Sequence, residues 1–138
     1  MSYHTCIFVG HLGKDPEMRY TPAGQAVTNF SLAVNDDYKN SEGEKIKRTI
    51  WLRISAWGKL AELCNQYLVK GNMALVEGHL IADNATGGPK LWTGQDGAAR
   101  ANFEINASTV RFLTPKGETE NIATEPTKET EEEDAPAF

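Results

Sequence analysis

Only one stretch of this chain repeats its apolar side chains at helical spacing. Between Lys59 and Lys70, Leu60, Leu63, Cys64, Tyr67 and Leu68 follow an i, i+3, i+4, i+7, i+8 rhythm, and Gly71 stands where a helix would stop. The remaining patterned runs alternate with the period of two that belongs to extended strands. They occupy about residues 3–12, 26–38, 46–57, 73–82 and 100–113, with turn-forming residues between them. A chain of 138 residues, 40% of them hydrophobic, has room for one domain with a real core.

The third run sets the character of the strands. In TIWLRISAWGK, residues 49–59, Ile50, Leu52, Ile54 and Ala56 share one face, and Trp51, Arg53, Ser55 and Trp57 share the other. The aliphatic face is a core face. The opposite face sets two indoles beside a guanidinium and a hydroxyl, although large aromatics gain most from burial. The second run places Phe30, Leu32 and Val34 against Asn29, Ser31 and Asn35, the alternation of a barrel wall. Tyr38 falls on the core parity of that run unless a bulge or bend intervenes, which leaves its exposure open. The first run is apolar on both faces, with Ile7 and Val9 opposed to Cys6, Phe8 and Leu12, so a covering element such as a subunit contact is expected over its outer side.

The order β-β-β-α-β-β matches an all-β fold, the five-stranded Greek-key barrel called the OB-fold, with its one α-helix between strands three and four. Residues 84–97, NATGGPKLWTGQDG, read as a long hairpin loop carrying Lys90 and Trp92. Catalysis finds no support in the pattern. His4, His11 and His79 are scattered, no nucleophile motif or His-Glu metal helix is present, and the glycines of GHLGKD are spaced too closely for a phosphate loop. Cys6 and Cys64 form no metal-like pair and read as buried thiols, so neither metal nor cofactor is expected. The opening residues already read as a strand, and no apolar run approaches membrane-spanning length, which points to a cytoplasmic protein.

Charge divides the chain. Residues 1–113 hold 12 Lys/Arg against 11 Asp/Glu, and residues 114–138 hold 2 against 8. The acidity belongs to the second segment, which is Thr- and Glu-rich, lacks periodicity and is expected to be a disordered tail. That tail ends EEEDAPAF, where Pro136 and Phe138 follow four consecutive acids that include Glu133 and Asp134. An acidic solubilising extension has no use for a terminal Phe. A basic pocket with an apolar floor would capture both the carboxylate and the ring.

Single strands of nucleic acid are held by stacking bases on aromatic rings while Lys and Arg meet the phosphates. Trp51, Trp57 and Trp92, with Tyr38 conditional on its exposure, fit that recipe beside Arg53, Lys59, Lys39, Lys47, Arg48 and Lys90. The competing reading makes these tryptophans packing or dimer-interface residues.

Three motifs in order, GHLGKDPEMRYTPAGQAVTNFSLAVN (10–35), TIWLRISAWGKLAELCNQYLVKGNMALVEGHL (49–80) and EEEDAPAF (131–138), make the sequence resemble the bacterial single-stranded DNA-binding proteins over about residues 3–113. The resemblance implies an OB-fold domain at 1–113 that assembles as a homotetramer in the nucleoid and wraps single-stranded DNA without sequence preference. It also implies that the tail, 114–138, recruits replication, recombination and repair enzymes through Glu133, Asp134, Pro136 and Phe138. Stacking falls to positions matching Tyr38, Trp51, Trp57 and Trp92, and phosphate contact to positions matching Arg19, Arg53, Lys59 and Lys70, with Lys90 on the loop. The chain departs from well-known relatives at Tyr38, where they carry Trp, at Trp57, where they carry Phe, at Leu52, where some carry His, and in its Pro-Ala-Phe ending. The rival readings are a dimeric OB-fold replication-restart or RNA-binding module, and a protein-interaction hub whose DNA affinity is incidental.

Overall fold

The computed structural model describes residues 2–114. The tail residues Glu133, Asp134, Pro136 and Phe138 lie outside the described residues. The elements in chain order are β1 (Cys6–Leu12), β2 (Glu17–Tyr20), β3 (Ala26–Asn35), β4 (Tyr38–Lys39), β5 (Lys45–Ile46), β6 (Thr49–Trp57), α1 (Lys59–Tyr67), β7 (Met73–Leu80), β8 (Leu91–Thr93), β9 (Ala99–Ala101) and β10 (Phe103–Phe112).

Strand β6 is paired along both edges. It runs antiparallel to β3 from Val27↔Trp57 to Asn35↔Thr49, and parallel to β10 from Leu52↔Phe103 to Ser55↔Asn106. β10 pairs with β7, β7 with β1, and β1 meets β3 at His11↔Ala33 and Leu12↔Leu32, so five strands close a barrel. The expected OB-fold is therefore present, with its helix between the third and fourth barrel strands. Closure removes the open sheet edges that would otherwise expose unpaired backbone.

Period-two alternation gives each strand one face for the interior. Leu32, Ile54, Val76 and Ile105 are fully buried, and Phe30, Leu52, Ala56 and Ala74 pack with them. Gly58, at φ 65°, lets the chain turn from Trp57 directly into α1, a backbone region that side chains with a Cβ rarely adopt. The helix lies against the barrel through Ala61, Cys64 and the following Leu68. Thr28, itself buried, donates from its hydroxyl to the Ala61 carbonyl at 2.7 Å, a tie between β3 and the first turn of α1.

Several local expectations shift for identifiable reasons. The helix ends at Tyr67 instead of Lys70, because Leu68 turns extended to bury its side chain and the Asn72 side chain accepts the Val69 N–H. The close approach of Ala61 moves the buried stripe, leaving Tyr67 at the margin, where its ring lies 5.9 Å from Phe112. The first strand is not the end of its pairing, since β2 continues along β3 from Glu17↔Asn29 to Tyr20↔Ala26. The second run stops at Asn35, so Tyr38 escapes the core parity and stands in a separate hairpin, β4–β5. The long loop after β7 likewise contains its own hairpin, β8–β9. Ile7 on the outer side of β1 is 59% exposed in the single chain. No helix among the described residues is long and apolar enough to cross a membrane.

Cys64 is buried as expected, whereas Cys6 is only half-buried. Burial pushes the Cys64 thiol up from its ordinary value near 9 to about 12. The unfolded chain therefore loses this proton first, so the group's stabilising contribution is complete below about pH 9 and drains away as pH rises towards 12. In a Cys6→Ala variant at pH 8, we expect no rapid reaction with a disulfide thiol reagent until denaturant is added. A fast stoichiometric reaction in the folded protein would contradict the burial.

Candidate functional site

The outer faces of β2, β3, β6 and β10 form one continuous surface whose rows follow from strand register. Arg19 and Trp57 flank Val27, itself buried, in one row, Glu17, Asn29, Ser55 and Asn106 lie across the next, and Ser31, Arg53 and Glu104 across a third. Trp51 stands opposite Ala33 in the row beyond. Trp51 and Trp57 are six residues apart on one face, about 20 Å along the strand. A groove of about 260 Å³ opens between Trp51 and the β1–β2 turn, lined by Lys14, Asp15, Ser31, Trp51, Arg53 and Asn102 among others.

Both indoles are held by the backbone and by polar neighbours. The Trp57 Nε1–H donates to Asn106 Oδ1 at 3.1 Å, which satisfies its polar edge and fixes the ring's heading. Beside it, Ser55 Oγ and Asn29 Oδ1 are 2.8 Å apart. Trp51 rests against Gly13, where a methyl group would sit 2.7 Å from ring atom Cζ3, so only a bare backbone admits the ring there. Gly13 is itself pinned, its N–H donating to the Ser31 carbonyl at 3.1 Å. Trp51 is 55% exposed and Trp57 is 40% exposed.

Two hairpins lead into strands of this surface. β4–β5 precedes β6 and β8–β9 precedes β10, and because β6 and β10 are parallel both hairpins leave from the same end of the barrel. The first carries Tyr38, 44% exposed, with the Arg48 guanidinium carbon 4.6 Å from its ring centroid. The second carries Trp92, 48% exposed, with Arg100 opposite it in the ladder and 6.0 Å from its ring centroid. The two ion pairs among the described residues involve these same arginines, Arg48 with Asp36 and Arg100 with Asp96.

The residues expected from sequence thus fall into three groups. Trp51, Arg53, Trp57 and Arg19 share the sheet face, with Lys59 following Trp57 at the start of α1. Lys70 is drawn to the flank by its backbone N–H, which donates to Asp15 Oδ1 at 2.8 Å. Tyr38, Trp92 and Lys90 belong to the hairpins, and all five expected cations are exposed. Arg100 escaped notice in the sequence. Its only signal was a position eight residues after Trp92 across a Gly-containing turn, and that becomes an adjacency only once Trp92↔Arg100 pair. The scattered histidines also meet in part: the His4 and His79 rings lie 5.1 Å apart edge to face, and His4 Nε2 accepts the Leu80 N–H.

Comparison with known proteins agrees with the geometry. Residues 3–113 match the model of the single-strand binding protein family. A single-stranded DNA-binding protein 1 of Chlorobaculum tepidum is 50% identical over 91 residues, 63% of this chain and 56% of that protein. A single-stranded DNA-binding protein of Neisseria meningitidis is 36% identical over 118 residues, 86% of this chain and 64% of that protein. The matched region thus spans roughly three fifths of the length of these relatives. Among solved structures, a Plasmodium falciparum SSB in complex with ssDNA superimposes with a TM-score of 0.65 at 23% identity, covering 82% of this chain and 96% of that one, which supports the fold.

Gly13→Ala tests the seat of Trp51 alone. The variant should retain the wild-type far-ultraviolet spectrum while its tryptophan emission and near-ultraviolet circular dichroism change, because the ring must leave its seat. Unchanged near-ultraviolet bands would mean that Trp51 does not rest on Gly13.

Proposed function

The chain belongs to the single-strand binding protein family, and from that premise we propose that its outer sheet face and two hairpins bind single-stranded DNA without sequence preference. The observation that carries this reading is that the two indoles of β6, Trp51 and Trp57, stand 55% and 40% exposed beside Arg53 on the face opposite its buried Leu52, Ile54 and Ala56, with Tyr38 and Trp92 44% and 48% exposed on the hairpins. Bases have a stacking face whatever their identity, so rings at Tyr38, Trp51, Trp57 and Trp92 accept any sequence. Arg19, Arg53, Lys59, Lys70 and Lys90 are the proposed phosphate partners around those rings. The role is protection of single strands during replication, recombination and repair, by binding and without chemistry on the strand, in the cytoplasm and nucleoid.

Assembly and recruitment complete the proposal. Exposed Ile7 and half-buried Val9 on the outer side of β1 support contact between copies, in a homotetramer. Residues 114–138 are proposed as a separate partner-binding tail whose tip, Glu133, Asp134, Pro136 and Phe138, offers acids and a terminal ring to a basic, apolar pocket.

Trp51→Ala and Trp57→Ala should each weaken oligo-dT binding by about 5- to 150-fold, the equivalent of roughly 1–3 kcal/mol of stacking, and reduce fluorescence quenching on binding. For the wild type, log affinity should fall with log salt at about −0.7 per neutralised phosphate. Equal competition by duplex DNA would overturn the single-strand reading. Deleting residues 134–138 should leave oligo-dT binding intact or tighter while removing capture of repair enzymes, and sedimentation should give four times the 15.2 kDa chain mass. Loss of DNA binding on that deletion, or a dimer mass, would refute the respective assignment.

A further inference from the structure

The two hairpins carry the same three-part arrangement although they share no sequence motif. In each, an exposed aromatic ring lies beside an arginine, and that arginine is ion-paired to an aspartate. Tyr38, Arg48 and Asp36 form one set, with the guanidinium carbon 4.6 Å from the ring centroid. Trp92, Arg100 and Asp96 form the other, at 6.0 Å from the ring and with Arg100 Nη2 2.6 Å from Asp96 Oδ2. Among the described residues, the cations held in ion pairs are the same two that lie near aromatic rings. The cations assigned above to phosphates, Arg19, Arg53, Lys59, Lys70 and Lys90, belong to neither pair.

Holding the hairpins together does not account for these pairs. Both carboxylates and both guanidinia are about half exposed, and solvent-exposed pairs contribute little to stability. The hairpins have other fastenings. The Arg48 backbone N–H donates to Asp37 Oδ1, and the Asp36 N–H donates to the Arg48 carbonyl. In the second hairpin the Gly94 N–H donates to the Ala98 carbonyl, and the Ala98 N–H to Asp96 Oδ1. An arginine beside an aromatic ring is already placed to meet a phosphate when a base stacks on that ring. The aspartate neutralises it until then.

We propose that Asp36 and Asp96 are specificity-determining residues that withhold Arg48 and Arg100 from phosphates until a base engages Tyr38 or Trp92; the idea rests on the single-strand reading above. Binding exchanges one carboxylate for one phosphate on each guanidinium, so no ion pair is gained overall, and the released carboxylate then faces a polyanion. Phosphate alone gains little from the exchange. A single strand can stack on the rings without displacing the aspartates, whereas a duplex, its bases kept within its own stack, has only the cations to use. The aspartates thus lower affinity for polyanions in general and lower it less for flexible single strands.

The test uses the full chain with Asp36→Asn, Asp96→Asn and the double variant. Asp37→Asn is the control, because it removes an equal charge next door from a carboxylate that accepts the Arg48 backbone N–H and takes no part in the ion pair. Asn at 96 retains a side-chain oxygen for the Ala98 N–H. Oligo-dT affinity should rise about two- to five-fold per variant, with the log-log salt slope steeper by up to about 0.7 for each freed arginine. Duplex DNA and heparin should gain more than oligo-dT, so that the single-strand preference falls. Variants that match Asp37→Asn in affinity, slope and preference would overturn the proposal while leaving the single-strand reading intact. Absence of oligo-dT binding by the wild type would overturn both.

Discussion

The arrangement of the molecule depends on β6 being paired along both edges. A strand clamped between β3 and β10 cannot slip by one residue without moving Leu52, Ile54 and Ala56 out of the interior. The same constraint holds Trp51, Arg53 and Trp57 outside. The hydrophobic core therefore acts as the reference against which the outer face is positioned, and the site inherits its precision from the least soluble part of the chain. The parallel pairing of β6 with β10 has a second effect, since it sends both aromatic hairpins from one end of the barrel.

The exposed rings have a cost on the scale of the proposed ligand's contribution. At about 25 cal/mol per Å² and 150–250 Å² for a large aromatic, a half-exposed indole leaves on the order of 2–3 kcal/mol of burial unrealised. Stacking a base is worth roughly 1–3 kcal/mol per ring. The free protein thus carries an unfilled hydrophobic demand that a stacked base meets almost in full. Rigid seating makes the exchange efficient, because Gly13 under Trp51 and Asn106 at the Trp57 N–H spare the rings the entropy of being ordered during binding.

Local pattern carried most of this architecture, and its failures share one cause. Period two identified the buried side of β6 and the wall residues Phe30 and Leu32, and the single helical rhythm located α1. These are properties of neighbours in sequence. Tyr38 depended on where β3 would stop, which Asp36 and Asp37 decide by bonding to Arg48 across the hairpin. The helix end depended on Asn72, and the exposure of Tyr67 on how closely Ala61 approaches Thr28. Arg100 became a neighbour of Trp92 only through a turn of a few residues in a loop that composition had already marked as irregular. Each miss concerns a contact made across a turn or between elements, where spacing along the chain gives no reading.

Charge in this molecule works by position and hardly at all by total. Residues 1–113 hold only one more Lys/Arg than Asp/Glu, which gives little long-range attraction for a polyanion. On the proposed reading, capture comes at short range, where a ring and a cation are met together. Duplex DNA brings phosphates at high density but keeps its bases stacked on each other, so it can answer the cations and not the rings. A single strand could answer both, since its flexible backbone can follow the proposed rings, about 20 Å apart on β6 and others on separate hairpins. If Asp36 and Asp96 withhold Arg48 and Arg100 as proposed, the balance tilts further towards ligands that stack. Near neutrality is in that respect a condition of selectivity: a strongly basic surface would hold duplex and single strand alike, and the rings would decide nothing.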